Sequence, residues 1–177
     1  MKLATSFLED AMLESSARGA KECAVFGVIA GTIFLLVQEA FARVMGFEPV
    51  TRMYANAVLG PNSMQLAGPA AVVFGSTLTH LTLCGAYGAL YGFVNGRLSA
   101  SMRTNFWAQA AIGTLCGIAF WLVNVQIFAR LFYPSFLGTR QFVQVLFHVA
   151  FFGAPLAMLY AGTERRLERL RGTPTAA

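Results

Sequence analysis

Apolar residues fall in four long runs along this chain, and charged residues collect between them. The cleanest run, residues 70–94 (AAVVFGSTLTHLTLCGAYGALYGFV), holds no Lys, Arg, Asp, Glu or Pro and carries one histidine, His80, near its middle. A helix needs about 20 apolar residues to cross about 30 Å of hydrocarbon, so this run predicts a membrane span. Residues 23–44, 106–128 and 141–161 predict three more; the last holds His148 and Pro155. Before the first span, Leu3, Ala4, Phe7, Leu8, Ala11 and Met12 share one helical face, with Thr5, Glu9, Asp10 and Glu14 largely opposite. The expected fold class is therefore all-α: an integral membrane four-helix up-down bundle with an N-terminal amphipathic interfacial helix. Its parts are residues 1–21, the span domain 22–162, and a charged, solvated tail 163–177.

Finer patterning adds detail. Gly27 and Gly31 in the first span, and Gly113 and Gly117 in the third, have the four-residue small spacing that lets a neighbouring helix come close. In the connection 45–68, Val50, Met53, Tyr54, Ala57 and Val58 follow helical spacing between Pro49 and the Gly60 and Pro61 stop. That spacing predicts a short helix lying on the membrane surface. Tyr87 and Tyr91, near the exit of the second span, are expected at headgroup level.

Composition agrees with a membrane class: 56% hydrophobic, 12% charged, mean hydropathy +0.60, more apolar and less charged than soluble domains. The net charge of +5 does not predict nucleic-acid binding, because the basic residues sit in the connections and not on a stripe. Four spans put both ends on one side. Sorted by side, nine basic residues, from Lys2 to Arg171, face four: Arg43, Arg52, Arg130 and Arg140. By the positive-inside rule both termini are expected in the cytoplasm, with a bacterial inner membrane as the expected location. Cys23, Cys84 and Cys116 have no metal-ligand spacing and read as packing residues. No GxSxG, HExxH or P-loop occurs, which argues against a self-contained enzyme.

Candidate chemistry rests on the two histidines. Counted at 1.5 Å per residue, His80 and His148 lie roughly 15 and 10 Å below the same face, on spans expected to stand diagonally across the core. Two imidazoles so placed can serve as axial metal ligands of a haem b, with Gly31 and Gly117 on the flanking spans leaving room for a flat macrocycle. The layout resembles, in pattern, the haem-bearing four-helix core of the cytochrome b family, whose ligands also sit on the second and fourth helices. That family carries two histidines per helix and this chain one, so the resemblance implies at most a single haem. The competing reading is polar packing, His80 through Ser76 or Thr77 and His148 through Gln144.

A second polar set, Gln38, Glu39, Asn124, Gln126, Arg140, Gln141 and Gln144, falls near one level; it reads as the level where helix ends meet water or as a vestibule suited to a quinone headgroup or small solute. No acid lies at mid-membrane, which speaks against a proton-coupled carrier. The expected function is that of a non-catalytic accessory or anchoring subunit, in contact with the lipid bilayer and other membrane subunits. An electron-transfer subunit with one haem b, and a small-solute channel or carrier, are the alternatives.

Overall fold

In the computed structural model the described residues are 2–47, 49–60, 67–132, 134–138 and 140–172, and no strand occurs among them. Four helices are long and apolar enough to cross a membrane. The protein is an all-α, four-helix integral membrane bundle.

α1 (Lys2–Val44) carries the first span. Its 43 residues make one helix about 65 Å long, roughly twice the hydrocarbon thickness. The N-terminal stretch is thus helical and continuous with the span; the side chains of residues 2–9 lie outside the described set. α2 (Val50–Leu59) follows, then α3 (Pro69–Asn95), the second span, which starts with Pro69 in its first turn. Proline suits that place because its missing N–H would have no helical partner there. Pro61, part of the expected stop, is outside the described residues.

Two side-chain caps build the connection to the third span. Ser99 Oγ accepts from Met102 N at the start of α4 (Ala100–Thr104). Asn105 Oδ1 accepts from Trp107 N at 2.9 Å and Ala108 N at 3.1 Å to start α5 (Phe106–Trp121). The third span continues through a π-helical turn, Leu122–Phe128, into α6 (Ala129–Phe132). A 3₁₀ turn, Pro134–Gly138, leads to the fourth span, made of α7 (Gln141–Phe147), a second π-turn (His148–Gly153) and α8 (Ala154–Gly172). Pro155 explains the second π-turn: proline has no N–H to donate and its ring crowds the carbonyl one turn back, and a wider turn relieves both.

The four spans associate as two tight pairs. α1 lies against α3 with backbone touching backbone: a Cβ on Gly88 would overlap the Cys23 carbonyl and come within 2.9 Å of Gly27 Cα. α5 packs in the same way on the fourth span, and α1 also meets the fourth span. The second and third spans are joined by side chains instead. Tyr87 stacks on Phe120 with centroids 4.3 Å apart; Tyr91 donates to Gln109 at 2.6 Å, and Gln109 donates to Asn95 at 3.0 Å. Tyr91 is only 2% exposed. These tyrosines therefore point into the bundle and not toward headgroups, because Gln109 and Asn124 offer them acceptors inside.

At the end carrying both termini, Glu164 is buried and lies 2.6 Å from an Arg18 nitrogen and 3.0 Å from Arg103 Nε. Arg103 also donates to Ser15 and to the Gly96 carbonyl. One carboxylate so ties α1, α8 and the α3–α5 connection together. The tail is consequently not wholly solvated: α8 runs unbroken through residue 163, and Glu164 is part of the core's polar seal.

Candidate functional site: a cavity between two histidines

On the other side of the Tyr87–Phe120 stack the side-chain seam between the second and third spans opens into a cavity of about 180 Å³. Six of its fifteen lining residues are aromatic: Phe34, Tyr54, Tyr87, Phe120, Phe128 and Phe152. Its polar lining comes from Thr79, His80, Asn124, Gln144 and His148. Leu83 on the second span is 37% exposed and Phe128 on the third is 42% exposed, and both line the cavity. These two apolar side chains are the exposed part of its lining.

Each histidine is held by a backbone carbonyl. His80 Nε2 is 3.0 Å from the Gly31 carbonyl, across the α1–α3 contact, where a Cβ on Gly31 would meet Cys84 Sγ at 2.6 Å. His148 Nδ1 is 2.7 Å from the Gln144 carbonyl one turn back. A carbonyl only accepts, so the hydrogen sits on Nε2 of His80 and on Nδ1 of His148. The bare lone pairs are then Nδ1 of His80 and Nε2 of His148. Both rings are buried, 5% and 7% exposed.

Phe34 unites them. Its ring stacks on His80 (centroids 5.5 Å, interplanar angle 10°) and meets His148 edge-on (4.9 Å, 70°). Tyr54 reaches in from α2 to lie 5.0 Å from the His80 ring. α2 is accordingly folded back along α3, with Leu59 against Gly75. Both π-turns border this cavity, one through Asn124, Val125 and Phe128, the other through His148 and Phe152. Neither a family model, nor a curated protein, nor a solved structure matches this chain. The site's chemistry alone carries its interpretation.

The pair does not fit a haem b as packed. Phe34 occupies the space against both imidazoles, and a macrocycle of four pyrroles is far larger than a cavity scaled to one ring. Gly31 and Gly117 serve helix contacts: Gly31 faces Cys84, and a Cβ on Gly117 would meet the His148 carbonyl oxygen at 2.7 Å. Their bareness positions the histidines, since His80 bonds the Gly31 carbonyl and the His148 backbone rests on Gly117. Among the described residues no group of three or more His, Cys, Asp or Glu side chains is placed to hold a metal ion.

The second polar set divides. Gln144 and Asn124 line the cavity; Gln38 stands behind, donating to Gln144 at 2.8 Å and accepting from Tyr54 at 3.4 Å. Asn124 Oδ1 accepts from Tyr87 at 2.6 Å. Glu39 instead caps α2, accepting from Val50 N at 3.1 Å and Thr51 N at 3.5 Å. Arg140 lies over Phe47, and Gln126 pairs with Gln141, away from the cavity. Phe34 and Tyr54 were not anticipated from sequence as site residues. A signal for Phe34 existed, since Gly27, Gly31, Phe34 and Gln38 recur at 4, 3 and 4 residues along one face of α1.

Proposed function

We propose that this protein is a non-catalytic membrane component that holds a small, ring-sized amphiphile drawn from the bilayer, with cytoplasmic termini by the charge rule. The observation that carries this reading is the convergence of His80 and His148, through Phe34, on one aromatic cavity whose exposed lining is Leu83 and Phe128. Size supports it: an apolar cavity of about 150 Å³ accepts benzene, and this one is about 180 Å³. Aromatic walls with few polar groups are the usual composition of a small-molecule site. As an accessory subunit it would keep such a molecule within a larger membrane assembly, and the length of α1 beyond the hydrocarbon offers that assembly a handle.

The test uses p-cresol as probe. Purified protein in nanodiscs is expected to gain thermal stability saturably with p-cresol, because a ligand bound only to the native state stabilises it by mass action. Val125→Phe, which puts a ring into the cavity from a buried wall position, abolishes that gain while leaving the helical spectrum intact. No saturable gain, or an equal gain in the filled variant, overturns the proposal.

A further inference from the structure

Resting on that reading, we infer the class of ligand: an aromatic ring bearing hydroxyl groups, of the lipid-soluble hydroquinone kind, bound in preference to the corresponding quinone. Donors and acceptors in the cavity decide between the two. The hydrogens of both imidazoles are consumed by the carbonyls of Gly31 and Gln144. What remains on each ring is an acceptor, and both rings are more than nine-tenths buried. Both histidines line the cavity, and a ligand O–H is the group that matches an acceptor there. At the two histidines a quinone, with only carbonyl oxygens, would set lone pair against lone pair and could use only the amide N–H donors of Asn124 and Gln144, whose oxygens already accept from Tyr87 and Gln38; a hydroquinone hydroxyl both donates to the imidazoles and accepts from such amides. The two lone pairs come from different spans, α3 and the π-turn His148–Gly153, which favours a ring with hydroxyls at two positions over a simple phenol.

The rest of the cavity fits the same molecule. Phe34, Phe120 and Phe152 supply faces and edges for a flat ring. Exposure of Leu83 and Phe128 lets an apolar substituent stay in lipid while the hydroxylated ring is inside.

The test compares three probes under anaerobic conditions on the protein in nanodiscs: tetramethyl-1,4-hydroquinone, its quinone, and its dimethyl ether. Full ring substitution removes the position at which the thiol of Cys84, which lines the cavity, would add to a quinone. The hydroquinone is expected to bind at least about tenfold tighter than the quinone or the ether, about what one or two satisfied hydrogen bonds give. His148→Phe is expected to lower the ratio by removing one of the two acceptors while keeping a flat ring, and the double variant with His80→Phe to bring it close to one. Because the ratio is read on the native protein, it decides the matter even if neither variant folds. Equal binding of the three probes, or tighter binding of the quinone, overturns the ligand class and leaves the cavity reading standing. Binding of p-cresol without any of the three also overturns the ligand class. Binding of no ring-sized probe overturns both.

Discussion

The contact between α1 and α3 makes a sharp mutational prediction because two glycines, three residues apart on one helix, meet different surroundings. Alanine at Gly88 would drive a methyl into the Cys23 carbonyl and within 2.9 Å of Gly27 Cα, both backbone atoms that move only if the helices part. Alanine at Gly85 would place its methyl 3.4 Å from Val28 Cγ2, an ordinary contact. Either change gains about 0.5 to 1 kcal/mol from the lower conformational entropy of alanine in a helix. Overpacking at Gly88 costs about 1 to 3 kcal/mol, so Gly88→Ala should be net destabilising and Gly85→Ala neutral or stabilising. The common propensity term cancels in the difference, which isolates the close approach. At about 2 to 4 °C per kcal/mol for a chain of this length, the two midpoints should differ by about 2 to 12 °C. Thermal unfolding in detergent, followed by circular dichroism, measures this. Equal midpoints, or a lower midpoint for Gly85→Ala, would refute the packing argument.

Three further outcomes are expected. Replacing Glu164 by Leu leaves Arg103 with only Ser15 and the Gly96 carbonyl as acceptors while Arg18 keeps Glu22 at 3.1 Å; a double-mutant cycle with Arg103→Leu should show a coupling of about 0.5 to 3 kcal/mol. Additive effects would contradict the pairing. Glu39→Ala removes the cap of α2 and should weaken its seating by about 1 kcal/mol, read as faster amide exchange at Val50 and Thr51, whereas Glu39→Gln keeps an acceptor oxygen and should exchange more slowly than the alanine variant. Nitrogen chemical shifts of ¹⁵N-histidine protein at neutral pH should show two neutral imidazoles in opposite tautomers, the hydrogen on Nε2 of His80 and on Nδ1 of His148. Matching tautomers would remove the acceptor arrangement from the cavity.

Much of the architecture was legible in the sequence because a bilayer imposes a length on every span, and runs such as residues 70–94 meet it without a charge. The glycine spacings announced close approaches, yet not their partners: Gly27 lies against Gly88, and Gly113 against Gly153. The convergence of two histidines followed from topology, since parallel spans with matching depth can meet across a bundle. Phe34 between them did not, because an aromatic residue in an apolar helix gives no sign of which neighbour it faces. Tyr87 and Tyr91 misled for a related reason. Tyrosine near a span's end ordinarily seeks the interface, but here acceptors on the third span draw both hydroxyls inward. Glu164 sits in a stretch dense with charge, TERRLERLR, that reads as solvated. Its burial depends on Arg18 and Arg103, 146 and 61 residues away along the chain, and no local pattern encodes that.

His80 and His148 line one cavity, which we propose takes a single ring from the bilayer. Crystals grown in a lipid mesophase and soaked with 4-bromophenol test it most directly, because bromine is located by its anomalous scattering. A bromine peak is expected inside the space bounded by Phe34, Phe120 and Phe152, with the phenol oxygen within hydrogen-bond distance of an imidazole nitrogen. Histidine rings that point apart, with no bromine between the second and third spans, would contradict it.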